Sequence, residues 1–321
     1  MDHQEEGEGG SNASRCNVVV TRMYPAEAIL EMDESEAWVK EKLQMERDGE
    51  LPVLPVTLTW EDVVYWLPPK KKAHVIPRKG EGRTILHEVT GYALPGQILT
   101  LMGSTGAGKS TLLDILVGIP KSGKVSGSIL MNGIPNKDAG NLFGYVSQDD
   151  TLFDTLTVEE TLMFYANLKL PFEMRHAQKV ERVNRLIQEL GLEKCRKTWV
   201  GSTLRRGLSG GERKRLAIGC EIVTNPGLIL LDEPTTGLDS FSSLGVMILL
   251  DELAAKGHTI VCTLHQPRPA IFELIDQLLL LSQGNVVYFG NTCGAEKYFE
   301  DIGFSHKPNI NPADFASKQF I

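Results

Sequence analysis

Three groups of residues in this chain have the types and spacing to handle a polyphosphate. Gly103, Ser104, Thr105, Gly106, Ala107, Gly108, Lys109 and Ser110 fit the pattern G-x-x-x-x-G-K-[ST], after an apolar strand ILTLM and at the opening of a helix. That strand-to-helix context turns the string into a site. Its glycines let the backbone curl until N–H groups converge on phosphate oxygens, and the helix N-terminus adds a favourable dipole. In such a loop Lys109 reaches the β- and γ-phosphates, Ser110 ligates Mg2+ and Thr111 sits near the α-phosphate. The second group is LILLDE, ending at Glu233. A buried apolar strand carries Asp232 to the carboxyl edge of the sheet beside the phosphate loop, where it holds the Mg2+ shell. Glu233 next to it is the candidate general base, provided an attacking water lies within hydrogen-bond reach.

The third group is LSGGE, Leu208 to Glu212, running into GERKRLAIGCEIV. Ser209, Gly210 and Gly211 form the tip of a second helix N-terminus able to bind an anion. One domain does not need two such sites for one nucleotide. Two ATP molecules sandwiched between two antiparallel protomers account for both, each Lys109 loop facing the other protomer's Ser209 tip. A Ser-Gly-Gly run also serves as an ordinary helix cap, and the string alone leaves that reading open.

The elements that must hold these groups follow from the hydrophobic pattern. From Pro55, VTLTW and VVYWL read as strands, followed by a Pro/Lys-rich stretch and then TILHEVTGYAL and QILTLMG as further strands, so a small antiparallel sheet precedes the phosphate loop. A helix over Lys109 to Val117 comes next, then strands over Gly127 to Met131 and Phe143 to Ser147. Helical patterns cover Val158 to Leu168 and Glu173 to Leu190, where Val180, Val183, Leu186, Ile187 and Leu190 recur at three or four. Beyond this helical block the order is helix Gly211 to Val223, strand Leu228 to Leu231, helix Ser242 to Lys256, strand Thr259 to Leu264, strands DQLLLLS and NVVYFG, and helix Ala295 to Ile302. Strands alternating with helices imply a parallel sheet covered on both faces.

Composition narrows the class. The chain has 321 residues, 42% of them apolar and 23% charged, enough for one large domain or two modest ones. A formal charge of −8 supplies no general basic face for a phosphate backbone, so nucleic acid is not an expected partner. The basic run from Lys70 to Arg83 reads as a solvated hairpin loop. Five scattered cysteines without a CxxC pair read as reduced thiols. The acidic start MDHQEEGEGGSNASR has no apolar core of a signal peptide, and residues 1–54 read as a poorly ordered acidic segment with one candidate helix over Glu34 to Glu50. No run approaches the roughly 20 apolar residues of a membrane-spanning helix.

With YVSQDD around Gln148, GLSGGERKRLAIG, LLDEPTTGLDS, HQPR after Leu264 and the late NPADF, the chain resembles the ATP-binding cassette (ABC) family, and in wording its G subfamily of white and pleiotropic-drug-resistance type half-transporters. The resemblance covers about Pro55 to Phe315. It implies a P-loop NTPase core of α/β class with a mainly parallel sheet, a small antiparallel β-subdomain and an inserted α-helical subdomain at about 150–225. It implies that Gln148 senses Mg2+ and water and relays nucleotide state to the helical block. It also implies that His265 contacts the γ-phosphate and couples it to Glu233, and that Asp239 lies at a dimer seam. Tyr65 is a candidate for stacking on adenine, with Trp66 equally near.

The implied activity is ATP hydrolysis with ATP and Mg2+ in an exporter. The implied partners are a second cassette, identical or not, and a transmembrane domain in the same full-length chain or in a separate subunit. The implied place is the cytoplasmic face of a membrane. The sequence stops at Phe320 and Ile321, residues 316–321 reading as the start of a linker where the family continues toward membrane helices. The alternative is a soluble ABC-type ATPase without a membrane partner. Ribosome-acting relatives carry two cassettes in tandem and DNA-repair relatives a long coiled coil between phosphate loop and signature, and neither feature occurs here. A non-hydrolysing regulatory cassette would lack Glu233, His265 or the signature, and all are present.

Overall fold

The computed structural model describes residues 51–69, 82–119, 122–139, 142–202 and 206–303. The candidate N-terminal helix, most of the basic run and NPADF lie outside them. A six-stranded sheet forms the centre, in the order β10-β9-β3-β8-β7-β6. Its members are β3 (Ile98–Gly103), β6 (Phe143–Val146), β7 (Leu228–Leu231), β8 (Thr259–Thr263), β9 (Gln277–Ser282) and β10 (Asn285–Asn291). All neighbours are parallel except the edge pair β10 and β9. A second, antiparallel sheet has the order β2-β1-β4-β5, from β1 (Leu58–Leu67), β2 (Arg83–Ala93), β4 (Lys124–Met131) and β5 (Ile134–Pro135). The mixed α/β architecture with a mainly parallel sheet, an antiparallel sheet and a helical block is the one the sequence implies.

Two details depart from the sequence reading. VTLTW and VVYWL are one strand, β1, carried through an irregularity where Asp62 turns to φ 49° and its N–H is taken by Thr90 Oγ1 at 2.9 Å. A bulge of this kind inserts a residue without ending the pairing. Lys124–Met131 joins β1 in the antiparallel sheet, so that sheet is completed by strands after the phosphate loop and not only before it.

The inner strands β3, β7, β8 and β9 are buried on both faces because they are mostly apolar, with polar side chains chiefly at their ends. Alternate side chains feed different cores. Ile98 and Met102, Ile229 and Leu231, Ile260 and Cys262, Leu278 and Leu280 join one cluster. Leu99 and Leu101, Leu228 and Leu230, Val261, Leu279 and Leu281 join the other. The second core also takes α1 (Lys109–Val117) through Leu112, Leu113 and Leu116, together with the inner face of the antiparallel sheet. The first takes α2 (Val158–Lys169), α3 (His176–Glu189), α4 (Gly210–Ile222), α5 (Ser240–Ala255), the short α6 (Pro269–Phe272) and α7 (Thr292–Asp301).

Helix ends are set locally. Thr157 and Glu160 close a capping box on α2, satisfying N–H groups that the helix itself leaves open. Arg182 on α3 closes the far end of α4, donating from Nη2 to Ile222 O at 2.8 Å and from Nε to Val223 O at 3.1 Å. The helical block is thereby fastened to the C-terminus of α4 by a cation, the charge a helix end favours.

Candidate nucleotide site

Four parallel strands bring the site together at their carboxyl ends, in the order β3, β8, β7, β6. The phosphate loop follows β3, Thr263 and His265 lie at the end of β8, Asp232 and Glu233 follow β7, and Gln148 follows β6. Sequence separation of more than 100 residues is bridged because parallel pairing puts like ends side by side.

The loop's shape depends on Gly103, which sits at φ 146°, where a Cβ would lie 2.1 Å from the Leu281 carbonyl oxygen. No other residue type fits that approach. Gly108 is the N-cap of α1 and brings no side chain to cap it, so the first-turn N–H groups are left for a ligand. Lys109 Nζ donates to the carbonyls of Gly103 at 2.9 Å and Ser104 at 3.1 Å. Burial lowers the pKa of its ammonium group below the ordinary lysine value, against the opposing pull of Glu233 and Asp232. A desolvated cation within the field of two carboxylates is suited to meet a multiply charged phosphate.

Asp232 is buried, its N–H bonded to Val146 O at 2.9 Å. Its Oδ1 accepts from Ser110 Oγ at 3.0 Å and from Thr263 Oγ1 at 2.6 Å. A hydroxyl and a carboxylate held together are the hard oxygen donors that Mg2+ takes from a protein when nucleotide oxygens and water complete its shell. Among the described residues no group of three His, Cys, Asp or Glu side chains converges, so an all-protein metal cage is not what this site offers.

Glu233 turns to φ 46°, the left-handed region that costs a side-chain-bearing residue about 1–3 kcal/mol. Thr263 Oγ1 accepts its N–H at 2.7 Å. On the carboxylate, Oε2 accepts from Gln148 Nε2 at 3.0 Å and from Thr236 Oγ1 at 3.0 Å. The candidate base and the candidate sensor are thus in direct contact. His265 is exposed, with Nε2 3.4 Å from Thr105 Oγ1, so the β8 end touches the phosphate loop.

Ser209 caps α4, with its Oγ accepting from Glu212 N at 3.3 Å while Glu212 Oε2 accepts the Ser209 N–H and hydroxyl, each at 2.8 Å. Within one chain the signature tip is therefore a capping box, the structural reading that the sequence left open. Gly211 packs so closely on the start of α5 that a Cβ there would lie 2.8 Å from Ser242 Cβ. Asp239 caps α5 through the N–H groups of Phe241 and Ser242, at 3.0 and 3.1 Å. Ser209, Gly210 and Asp239 are all exposed, and a Cβ on Gly210 would lie 3.0 Å from Cδ2 of Leu238, the residue before Asp239.

Tyr65 is a correction. The residue is 3% exposed and belongs to the core beneath the antiparallel sheet, so its ring has no open face to stack on a base. Trp66, its neighbour, is only half-buried. Sequence reasoning missed Thr263 and Lys214. Thr263 is fully buried in TIVCT and orients both acids. The only signal for it was a hydroxyl at the carboxyl end of a buried strand, and Thr259 at the other end carries one too. Lys214 sits in the charged run ERKR, and only helical period separates its buried side from the exposed one.

Fold and site together define a phosphate-loop nucleotide-binding cassette. Residues 86–236 match the family model described as ABC transporter, and residues 265–318 a second described as ABC-2 type transporter. The chain is 43% identical over 265 residues to ABC transporter G family member 22 of Arabidopsis thaliana, covering 82% of this chain and 35% of that protein. It is 38% identical over 316 residues to G family member 7 of the same plant, covering 96% and 42%. It is 44% identical over 247 residues to the broad substrate specificity ATP-binding cassette transporter ABCG2 of Mus musculus, covering 77% and 37%. The chain belongs to the ABC transporter family as a nucleotide-binding domain of the G subfamily, and the matched domain is an ATP-binding one. It spans about two fifths of the length of these relatives. Among the described residues no helix is long and apolar enough to cross a membrane.

Proposed function

We propose that this chain is the ATP-hydrolysing cassette of a G-subfamily ABC exporter. Residues 55–315 would form the cassette and about 150–225 its helical part. The observation that carries the reading is the continuous set of bonds Ser110–Asp232–Thr263–Glu233–Gln148 beside Lys109. It joins phosphate binding, cation binding and a proton acceptor in one cluster.

Lys109 and the α1 N–H groups bind and orient the triphosphate, neutralising charge as it shifts toward the leaving oxygen. Ser110 and Asp232, with Gln148 near them, would hold Mg2+, which supplies electrostatic stabilisation of the phosphate oxygens when bound. Glu233, aimed by Gln148 and Thr236, takes the proton of the attacking water at its carboxylate. His265, beside Thr105, contacts the γ-phosphate. Ser209, Gly210 and Gly211 of one cassette complete the site of a second cassette, identical or not, so that ATP binding closes the pair and hydrolysis reopens it. The motion is delivered to a transmembrane domain, in the same full-length protein or a separate subunit, at the cytoplasmic face of a membrane.

Replacing Glu233 with Gln tests this reading. The amide keeps the hydrogen bonds but accepts no proton, so saturating ATP and Mg2+ should shift the chain from monomer to a stable dimer on sizing chromatography. A variant that remains monomeric while binding ATP contradicts the two-chain site.

A further inference from the structure

Helix α4 carries a lysine on its buried side. Lys214 is 3% exposed, and lysines are almost never so buried unless paired. Its Nζ donates to Asp150 Oδ1 at 2.6 Å and to the backbone carbonyl of Gln148 at 3.1 Å. The side chain of the same Gln148 donates to Glu233. One ammonium group therefore stands between the helix whose tip is Ser209 and the segment that aims the candidate base. Arg213, the preceding residue, reaches the same segment further along, donating to Asp154 Oδ1 at 3.1 Å, and also donates to Gly201 O, outside that segment, at 2.9 Å.

Packing does not fix this segment by itself. A cleft of about 40 Å³, open to solvent, borders it, lined by Val146, Asp149, Asp150, Leu152, Tyr165 and Cys220. That is room for water, and a loop beside such a space is not held at close-packed density along its whole length. Gln148 is exposed on its outer side. The two bonds from Lys214 tie the middle of the segment to α4, between the Asp232 N–H bond to Val146 O at one end and the Arg213 bond to Asp154 at the other.

We infer that Lys214 is a positioning residue for ATP hydrolysis: by holding the Gln148 carbonyl it fixes the Gln148 amide against Glu233 and ties that geometry to the orientation of α4. This deepens the proposed function and rests on it. The coupling is reciprocal, since any shift of Gln148 that breaks the carbonyl bond also releases α4.

The test separates position from stability. Lys214→Met removes both bonds at similar volume but strands the Asp150 carboxylate, which alone destabilises a fold. Lys214→Met with Asp150→Asn removes the stranded charge as well. Unfolding midpoint, nucleotide affinity, ATP turnover and amide hydrogen exchange over residues 146–152 are measured on both variants. The unfolding midpoint should fall in the single variant and recover in the double. Turnover of the double should stay down at least about tenfold with nucleotide affinity within about twofold, since misplacement by about 1 Å can cost more than that. Exchange over 146–152 should be at least about tenfold faster than in the unaltered chain, as for a segment that opens locally. Turnover returning together with the midpoint, or unchanged exchange in the double variant, overturns the assignment. If the unaltered chain shows no ATP turnover, the proposed function fails, and exchange alone still decides whether Lys214 holds the segment.

Discussion

Thr263→Val isolates a hydroxyl that two polar groups share. Thr263 is fully buried, donates to Asp232 at 2.6 Å and accepts the Glu233 N–H at 2.7 Å. Valine fills nearly the same space but offers neither bond. Leaving the Glu233 N–H without a partner costs about 1–3 kcal/mol, and losing a bond to a carboxylate about 1.5–3 kcal/mol. Part is regained if Glu233 relaxes from its left-handed backbone, worth about 1–2 kcal/mol. The net expectation is a loss of about 2–4 kcal/mol, a large share of the roughly 5–15 kcal/mol that stabilises a domain.

Thr263→Ser keeps the hydroxyl and deletes one methyl, costing about 1 kcal/mol. Urea unfolding followed by tryptophan fluorescence should therefore rank the unaltered chain above Thr263→Ser and Thr263→Ser above Thr263→Val. A ledger based on packing alone gives the reverse order for the two variants. Finding Thr263→Val as stable as Thr263→Ser, or more so, would refute the role given to this hydroxyl.

Lys109→Ala should weaken ATP binding on the order of 100-fold, the worth of about two charge-assisted bonds, with normal affinity in equilibrium binding counting against the site. His258 is 1% exposed and its ring bonds Pro226 O through Nδ1 at 2.7 Å, which requires the proton on Nδ1. Burial, outweighing that bond, lowers its pKa from 6.5 to about 4. The unfolded chain then takes up the proton first as pH falls, so this group's contribution is intact above pH 6.5 and is lost toward pH 4, about 3 kcal/mol in all. His258→Asn, which keeps a donor near Nδ1, should flatten the fall in unfolding free energy from urea titrations between about pH 7 and pH 5, by about 2 kcal/mol on the same linkage.

How much could be read in advance differs from residue to residue. Lys109–Val117 and Leu228–Leu231 occupy the expected spans because local signals bound them, a glycine on each side of one and Pro226-Gly227 before the other. The two halves of β1 looked separate because Glu61 and Asp62 interrupt the apolar run, and a bulge that keeps both halves paired is decided by β2 and β4, far away in sequence. Lys124–Met131 could have joined either sheet on pattern alone, since pairing is non-local. Lys109 with Ser110, and Asp232 with Glu233, could be named as candidates because each pair lies in a short local string, while the meeting of the two strings is decided by parallel pairing. Thr263 and Lys214 were not, because what marks them is the identity of the groups they face. Tyr65 was misread because nothing in VVYWL tells which side of the strand meets the core.

The alternation of side chains through the central sheet makes it a partition wall with separate rooms. An exchange of one residue for another, such as Leu230 for a smaller one, is felt in the room beneath α1, while the room holding α4 is affected only through the wall. Adding or deleting a residue within β7 is different in kind. It would trade the contents of both rooms at once and turn Asp232 and Glu233 to the wrong sides. Length variation among relatives should therefore gather in the connections and spare this strand.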